Sequence, residues 1–509
     1  MVMLARLGPP LAVAVIAFGL AVSTLLPGVA FWDTGELQTV GPVMGTAHPT
    51  GFPTWVLLGW LASVVLQPFG EPAFRMNLLS AISMAVAAGV TVDLVRVLTG
   101  SRAIGVAAGI GLAVTPIAWA TANHAETHSL HLALVAILVR LLVEWEARRA
   151  AHLEEADRWL VAAAFVFGLS VGNHSLTLLL SVPVGLYVLA VHPGIVHRPR
   201  LVLACAGALV AIVVVVYLEL PLRSGPFPAP LVYGRPDTWE GFWYIVLAEQ
   251  FRGSLVDPFG DLGGKLVLLV ERTVHEFGWL APLILPGFVV TALRRPSYAL
   301  MSAVAVVVTV VFAASYENAA IERYYLGPIL AAWTWLAMLA WAAAAGMAAL
   351  WQGAVGDLSR SSAGLRATAS LLAAALVLTV VLPAVPARWE ATDASGNDLT
   401  ARWLDVVLEE VEPDALVISW WSFSTPLWYA QRVEGRRPDI EILDDRNRLD
   451  QALGSFQDVI DANLGERPVY VSRPSWEWPA LEEDYIIERL ALPSPEPFGR
   501  IVSRREDRP

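Results

Sequence analysis

Long apolar runs recur along the chain from residue 9 to residue 386, and only short polar segments separate most of them. Runs of that length are typical of helices that cross a lipid bilayer. Beyond residue 386 the pattern changes to short β-type runs that alternate with amphipathic helical segments. The pattern predicts a polytopic α-helical membrane domain over residues 1–386 and a separate soluble domain over residues 387–509.

Arginines between the apolar runs indicate the direction of each crossing, because basic residues gather in cytoplasmic loops. If every arginine group lies on the cytoplasmic side, the chain is predicted to have about eleven spans, a cytoplasmic N-terminus and an extracytoplasmic C-terminal domain. The groups are Arg6; Arg96 and Arg102; Arg140, Arg148, Arg149 and Arg158; Arg198 and Arg200; Arg294 and Arg295; Arg360 and Arg366. The predicted spans are 9–28, 74–98, 103–121, 128–144, 159–175, 176–191, 201–220, 277–293, 297–314, 325–350 and 366–386. We interpret the first as an uncleaved helix rather than a signal peptide.

This topology requires that the apolar stretch 53–67 does not cross. We expect it to lie at, or dip into, the outer interface, a depth that suits Trp55 and Trp60. The stretch belongs to a first external loop over residues 29–73. A long external loop over residues 221–276 is rich in aromatic residues and is expected to pack as a small cap at the same interface.

The C-terminal segment is predicted to form a small α/β domain. Strands are predicted over residues 414–419, 439–443 and 468–471, with helices over 424–433 and 449–464 between them. Strands that alternate with helices favour a parallel sheet. The segment has no glycine-rich phosphate loop and no Cys/His metal spacing, so the sequence assigns it no catalytic role.

Composition supports this division of the chain. Of the 509 residues, 56% are hydrophobic and 16% are charged, whereas roughly a quarter of the residues of a soluble protein are charged. The net charge is −12, and residues 388–509, with 14 arginines and 25 acidic residues, account for −11 of it. An acidic exposed domain argues against nucleic acid as a partner. The single cysteine, Cys205, excludes a disulfide framework.

Polar residues that are costly in a membrane fall on the predicted outer side, in six separate segments. These are Asp33 with Glu36, His48, residues 123–126, Asn173 with His174, the loop 221–275 and residues 316–325. Six segments that face one surface favour a single outward-facing cavity.

Four of these motifs resemble a known family. They are Trp32-Asp33-Thr34-Gly35-Glu36 with Ala47-His48-Pro49-x-Gly51-x-Pro53, Ala125-Glu126-Thr127-His128-Ser129-Leu130, Gly168-Leu169-Ser170-Val171-Gly172-Asn173-His174, and Arg323-Tyr324-Tyr325-Leu326-x-Pro328. With them the chain resembles the protein O-mannosyltransferase-related membrane family, within the GT-C class of glycosyltransferases. The segments Trp428-Tyr429-Ala430-Gln431-Arg432 and Arg437-Pro438-Asp439 resemble that family's soluble tail.

The resemblance implies a GT-C-type fold and an inverting transfer of a sugar, mannose in this family, from a polyprenyl-phosphate-linked donor to a hydroxyl acceptor at the outer membrane face. The acceptor would be Ser or Thr of an exported protein, or an envelope glycan, at a bacterial plasma (inner) membrane. A flippase or transporter of a lipid-linked sugar is the alternative. Transporters usually carry internal repeats, and none is evident in this sequence. A non-catalytic scaffold would leave Asp33 and Glu36 unexplained.

Two carboxylates are the catalytic candidates. Asp33 matches the acidic residue that this class places in its first external loop as a catalytic base, and inversion needs such a carboxylate opposite the leaving phosphate. The other interpretation of Asp33 is a helix cap. Glu36 would orient the acceptor, act on Asp33 through its like charge or help to hold a cation. As a capping-box partner it would do none of these.

Five further residues are expected to bind substrate: His48, Glu126, His174, Arg323 and Tyr324. Arg323 is the candidate for the donor phosphate, because a guanidinium forms forked hydrogen bonds with phosphate oxygens. The alternative for Arg323 is an ion pair with Glu317 or Glu322, and for His48 and His174 a structural role in their turns.

Other polar residues have weaker patterns. Arg223 and Arg252 in the long external loop are further phosphate candidates. His124 and His128 are spaced as two metal ligands on a helix would be. Related mannosyltransferases need no metal, so we expect no cofactor and no metal ligand, with a divalent cation left open.

Overall fold

The computed structural model describes residues 2–317, 320–355, 362–493 and 496–505. Arg360 and residues 318–319, which belong to the arginine groups and polar segments above, lie outside these ranges. The helices in chain order are α1 Val2–Ser23, α2 Trp32–Val43, α3 Pro53–Val65, α4 Pro72–Thr99, α5 Arg102–Ala113, α6 Pro116–Ala120, α7 Thr127–Ala150, α8 Ala156–Asn173, α9 Ser181–Val191, α10 Pro199–Tyr217, α11 Glu219–Ser224, α12 Trp239–Val246, α13 Leu262–Phe277, α14 Ile284–Arg294, α15 Pro296–Ala314, α16 Leu326–Val355, α17 Ser362–Val381, α18 Val385–Thr392, α19 Leu399–Glu410, α20 Trp421–Arg432, α21 Asp445–Asp450, α22 Phe456–Asn463 and α23 Trp478–Asp484. The strands are β1 Leu416–Ser419, β2 Glu441–Leu443, β3 Val469–Ser472, β4 Tyr485–Arg489 and β5 Gly499–Arg504.

Six helical segments among the described residues are long and apolar enough to cross a membrane. They are Pro72–Thr99, Pro199–Ser224, Leu262–Arg294, Pro296–Ala314, Ile321–Gln352 and Ala363–Thr392. Four shorter apolar helices cover Leu7–Ser23, Pro53–Val65, Arg102–Ala113 and Ser175–Val191. Every predicted span overlaps helical structure, although α1 ends at Ser23 and the predicted span 103–121 is divided between α5 and α6; the stretch 53–67 forms the separate helix α3. The number of crossings and their direction remain predictions.

One element boundary differs clearly from the prediction. The helical segment that includes the predicted span 277–293 already begins at Leu262, so the last part of the predicted loop 221–276 is helical. Glu271 and Arg272 interrupt the apolar pattern there, and an unbroken apolar run was the signal from which the span was predicted.

Helix α4 lies at the centre of the membrane part and packs against α1, α5 and α7. Its buried Asn77 joins three segments that lead to the candidate site. The Asn77 amide nitrogen donates to the Leu26 carbonyl at 2.8 Å. Its Oδ1 accepts from the Gln38 side chain at 2.9 Å and from the Ala125 backbone N–H at 2.8 Å. Because a buried amide is costly unless all its groups are paired, Asn77 fixes these segments relative to one another.

The C-terminal part contains a five-stranded sheet with the order β2-β1-β3-β5-β4. Strands β2, β1 and β3 are parallel, as predicted, while β5 and β4 are antiparallel and were not predicted. The helix predicted over 449–464 is two helices, α21 and α22. The helix is interrupted before Gly454, whose φ of +78° lies in the left-handed region that favours glycine. Ser455 and Asp458 then form a capping box at the start of α22.

Both faces of the parallel strands are covered, which explains their continuous apolar sequence. Leu416 and Ile418 of β1 contact α22 and α23 on one face, and the alternating Val417 contacts α19 and α20 on the other. The α19–α20 layer also packs on the first external loop, through Val29 and Ala73. The C-terminal sheet is therefore attached to the same loop that carries Asp33.

Candidate active site

A cavity of about 610 Å³ lies between the membrane part and the C-terminal sheet. All six polar segments singled out in the sequence contribute to its wall. The predicted residues that line it are Asp33, His48, Glu126, His174, Arg252, Arg323 and Tyr324. The structure thus brings together side chains that are up to about 290 positions apart in the sequence.

Asp33 lies in the first turn of α2, with 38% of its side chain exposed. Residue Phe31 is the N-cap of α2 and no side chain caps it, so Asp33 is not the helix cap that its sequence position allowed. One carboxylate oxygen, Oδ1, accepts a hydrogen bond from Nε1 of Trp421 at 3.0 Å. The other, Oδ2, lies 4.0 Å from Nη2 of Arg323. The carboxylate is therefore anchored on one side and faces a cation on the other.

Glu36 is buried behind the cavity wall, with 1% of its side chain exposed, and does not line the cavity. It accepts hydrogen bonds from the backbone N–H of His48, at 2.7 Å, and from the His48 ring Nδ1. No capping-box bond forms at this end of α2. Glu36 therefore meets the cavity through His48, and its predicted part in catalysis stays a prediction.

The charge of the Glu36–His48 pair follows from its burial and its neighbours. Burial raises the pKa of Glu36, and the charge and hydrogen bonds of His48 oppose that rise. Burial alone would lower the pKa of His48, but the carboxylates of Glu36 and Asp33 raise it to about 9. At neutral pH the imidazole is therefore held as a cation against Glu36.

Arg323 forms an ion pair with Glu126, which lies at the N-cap of α7. Neither of the predicted partners is used, and Glu322 instead pairs with Arg272 at 3.1 Å. Burial alone would raise the pKa of Glu126, but the Arg323 guanidinium and the two flanking histidines hold it well below its usual range. Glu126 is therefore ionised, and it positions Arg323 at the cavity.

Aromatic rings form the side of the cavity next to Arg323. Tyr324 stacks on His128 with ring centroids 5.4 Å apart, and His128 lies 4.7 Å from His174. The Nδ1 of His174 accepts the backbone N–H of Leu176 at 3.2 Å, which supports the structural role for this histidine beside its place in the wall. Tyr324 and Leu176 also line a second, mostly apolar cavity of about 60 Å³ between α7, α9, α15 and α16.

The residues with weaker sequence patterns differ in whether they face the cavity. Arg223 donates to the carbonyls of Val43 and Met44, each at 3.0 Å, so it caps the C-terminal end of α2 rather than facing the cavity. Arg252 lines the cavity and pairs with Glu249 at 3.1 Å. Helix α7 begins at Thr127, so His124 and His128 are not on one helix face. Among the residues that the structure describes, no group of three or more His, Cys, Asp or Glu side chains could hold a metal ion.

Sequence analysis missed the contribution of the C-terminal sheet to this cavity. Trp420 and Trp421 follow β1 directly, and Asp444, Asp445 and Arg446 follow β2; all five line the cavity. The carboxyl ends of parallel strands meet at one edge, and that edge commonly carries the binding site in α/β folds. The predicted parallel strands were therefore a usable signal for this site.

Buried contacts hold this strand edge in place. Arg473 follows β3 and donates to Asp445 at 2.8 Å and to the Ser419 carbonyl at 3.2 Å. Burial raises the pKa of Asp444 to about 6. Arg446 lies over the ring of Tyr244, 4.4 Å from its centroid, and so joins this edge to the long external loop.

Comparison with known proteins supports the resemblance found in the sequence. Residues 33–194 match the family model described as the protein O-mannosyl-transferase TMEM260 N-terminal domain. Protein O-mannosyl-transferase TMEM260 of Mus musculus is 32% identical over 282 residues, which are 52% of this chain and 37% of the mouse protein. Protein O-mannosyl-transferase tmem260 of Dictyostelium discoideum is 22% identical over 275 residues, 50% of this chain and 33% of that protein. The matches span about a third of the length of these curated relatives.

Solved structures share the fold at low sequence identity. ArnT from Cupriavidus metallidurans bound to undecaprenyl phosphate has a TM-score of 0.62 at 16% identity, covering 96% of this chain and 97% of that one. The archaeal oligosaccharyltransferase AglB from Archaeoglobus fulgidus, in complex with an inhibitory peptide and a dolichol-phosphate, has a TM-score of 0.53 at 14% identity. That alignment covers 98% of this chain and 75% of AglB. Both are GT-C glycosyltransferases, so the predicted GT-C fold class is confirmed.

Proposed function

We propose that this protein is a GT-C glycosyltransferase that moves a sugar, mannose by its relatives' names, from a polyprenyl-phosphate carrier to a hydroxyl acceptor. The observation that carries the proposal is the pairing of an anchored carboxylate with a positioned guanidinium in one cavity: Asp33 faces Arg323 at 4.0 Å. The curated relatives are named protein O-mannosyl-transferases, and the ArnT and AglB structures hold polyprenyl or dolichol phosphates.

The proposed reaction divides the work between these two groups. The acceptor hydroxyl gives its proton to Oδ2 of Asp33 as its oxygen forms the bond to the sugar's anomeric carbon on the side opposite the phosphate. The bond between that carbon and the phosphate oxygen breaks, and the lipid phosphate leaves with the electron pair. Arg323 stabilises the growing negative charge with forked hydrogen bonds, while Glu126 holds the guanidinium on its other side. The sugar is transferred with inversion.

The second cavity supports a lipid-linked donor. It adjoins the first cavity at Tyr324 and Leu176, and mostly apolar residues from α7, α9, α15 and α16 line it. We propose that the isoprene unit next to the phosphate packs against this apolar cavity, with the phosphate beside Arg323. The carrier lipid then stays in a hydrocarbon environment while its sugar reaches the polar cavity. The phosphate ester already stores the bond energy, so the site needs only to orient and stabilise the reactants.

With the topology predicted from the arginines, this reaction would take place at the outer membrane face. An acceptor there would be a Ser or Thr hydroxyl of an exported protein, or a hydroxyl of an envelope glycan. A flippase for lipid-linked sugars would also need charged groups beside an apolar groove. The comparisons favour the transferase, since the relatives carry transferase names and the fold is GT-C.

The decisive experiment measures sugar transfer by the purified full-length protein in lipid. The donor is polyprenyl-phosphate-[14C]mannose and the acceptor a cell-envelope extract, with wild type, Asp33→Asn and the surface variant Asp398→Asn compared. We expect transfer by wild type and Asp398→Asn, and a loss of roughly 100- to 10,000-fold in Asp33→Asn, because the amide cannot accept the acceptor proton. Binding of the lipid phosphate should persist in all three. Tight lipid binding without transfer from any of several lipid-linked sugars would instead establish a flippase.

A further inference from the structure

We propose that the C-terminal domain completes the active site, with Trp421 as the positioning residue that orients the Asp33 carboxylate. The inference rests on the proposed role of Asp33 as base. It assigns a function to a domain in which the sequence shows no chemistry of its own. The domain takes no part in bond making; it acts through the carboxylate that its indole N–H holds.

Three consecutive residues of the first external loop contact three residues that closely follow β1, which makes the attachment specific. Trp32 packs edge to face on Trp420 with ring centroids 4.9 Å apart. Asp33 accepts the hydrogen bond from Trp421 at 3.0 Å. One position earlier, the Phe31 ring lies 5.7 Å from the Phe423 ring. Three neighbouring residues are thus each held by a different side chain of the C-terminal domain.

Close backbone approach extends this attachment along α2. A Cβ atom at Gly35 would lie 2.8 Å from Oγ1 of Thr425 on α20 and 2.2 Å from the carbonyl oxygen of Ala30. Only glycine therefore permits this approach. Helices α2 and α20 therefore meet at the turn that carries Asp33. Helix α20 also contacts the start of α4, where the Ala73 N–H donates to the Tyr429 hydroxyl at 3.1 Å.

The backbone before Asp33 needs such support. Trp32 has a φ of +62°, in the left-handed region, which is an outlier for a bulky residue and carries an energetic cost. Its side chain is 52% exposed, so its own burial does not offset this cost fully. The contact with Trp420 holds the residue in this conformation, and the conformation in turn sets the direction of the next side chain, Asp33.

The indole N–H is suited to hold a base without competing with it. It is a donor only, so it binds the ionised carboxylate and takes no proton from it. Because it occupies Oδ1, the oxygen that faces Arg323 and the cavity is Oδ2. Trp421 is itself fixed by edge contacts with Trp428 at 5.7 Å and Tyr233 at 5.8 Å. Loss of the hydrogen bond would leave the carboxylate free to rotate toward the arginine.

The test removes the hydrogen bond and leaves the rest of the site intact. Trp421→Phe deletes the donor, and 3-benzothienylalanine at position 421 replaces the N–H by sulfur while keeping the shape of the ring. Trp478→Phe is the matched control, since Trp478 is a buried indole of the same domain that donates a 2.9 Å hydrogen bond to the Arg473 carbonyl, away from the cavity. Transfer from polyprenyl-phosphate-[14C]mannose, lipid-phosphate binding and thermal stability are measured for each full-length protein.

We expect both changes at 421 to lower kcat about 10- to 100-fold, the value of a hydrogen bond to a charged group, with donor KM and lipid-phosphate binding within about twofold of wild type. Trp478→Phe should lower thermal stability without this loss of kcat. A benzothienyl variant with wild-type kcat, or a loss no larger than that of Trp478→Phe, would overturn the positioning role. Asp33→Asn, measured in parallel, separates the two proposals. If it is as active as wild type, the base assignment itself is wrong and the inference falls with it.

Discussion

Three functional side chains of the cavity are each held by a second group that does not itself take part in the proposed reaction. Glu36 holds His48, Glu126 holds Arg323 and Trp421 holds Asp33. Side chains fixed in this way lose little freedom when a substrate binds, which is the main requirement for a site that works by orientation and charge stabilisation. Three of the five residues expected to bind substrate, His48, Glu126 and Arg323, are therefore members of largely buried ion pairs.

Replacing Arg323 by lysine tests whether the fork of the guanidinium matters. Lysine keeps the charge, and with it the attraction to Glu126, but cannot form the bidentate hydrogen bonds with a phosphate. We expect kcat/KM for the lipid-linked donor to fall about 10- to 100-fold. Arg272→Lys is the control, because Arg272 pairs with the neighbouring Glu322 outside the cavity. Equal effects in both variants would contradict a phosphate role for Arg323.

The Glu36–His48 pair makes stability depend on pH. Against burial, which alone would lower it, the nearby carboxylates raise the pKa of His48 to about 9 from its ordinary 6.5. The stabilisation is therefore complete below pH 6.5 and is lost as the pH rises through 9. Between neutral pH and about pH 10, we expect the apparent Tm of wild type to fall by on the order of a few °C more than that of Glu36→Gln. Parallel melting curves for the two proteins would show that the pair is not formed.

At the scale of elements, the site lies where helix ends and strand ends converge. Asp33 is in the first turn of α2, Glu126 precedes α7, and Trp421 begins α20 after β1. Helix N-termini carry unpaired N–H groups and a positive dipole end, which favours the carboxylates found there. The sides of α15 and α16 contribute to the apolar cavity. In the proposed donor site, helix and strand ends therefore surround the sugar and phosphate, and helix sides contact the lipid.

A bulky residue on α15 tests the use of this apolar cavity. Ala305→Phe should fill the cavity, which has a volume of about 60 Å³, and raise the KM for a long-chain polyprenyl donor. A water-soluble donor with a short chain should be affected much less. Val307→Phe on the same helix is the control, since that side chain is 59% exposed and lies outside the cavity. A loss of activity that is the same for both donors would place the lipid elsewhere.

At the scale of the whole molecule, charge is segregated along the chain. Residues 388–509 carry −11 of the net −12, and the membrane part is close to neutral. The acidic domain nevertheless presents Arg446 and Arg473 near the strand edge that meets the cavity. Arg473 pairs there with Asp445 of the same edge, and Arg446 lies over Tyr244 of the long external loop, so these cations serve local contacts within an acidic domain.

Labelling with a membrane-impermeant maleimide tests the predicted orientation. In a Cys205→Ser background, Glu466→Cys reports on the exposed C-terminal domain and Glu154→Cys on the exposed loop between α7 and α8. We expect labelling of Glu466→Cys in cells whose outer membrane has been permeabilised, and labelling of Glu154→Cys only after lysis. The reverse pattern would invert the topology and place the cavity at the cytoplasmic face.

The sequence by itself determined most of the elements and the segments that form the candidate site. Apolar length predicted the membrane helices, short apolar runs between helical segments predicted β1 to β3, and polar residues that are costly in a membrane marked the segments that form the cavity. All three signals are local, because the residues that carry them lie within one helix, strand or turn. The family motifs added the expectation of a base at Asp33 and a phosphate-binding Arg323.

Only the tertiary structure decided which groups meet. It placed Glu36 behind the wall with His48, paired Arg323 with Glu126 rather than with its near neighbours, and brought Trp421 to Asp33 from 388 positions away. Contacts of this kind depend on how distant elements pack, and no local pattern encodes their distance. The two strands that were not predicted, β4 and β5, also depend on such contacts. Strand β5 is defined by its pairing with β3, and β4 by its pairing with β5. The tertiary structure thus joined the C-terminal domain to the candidate active site.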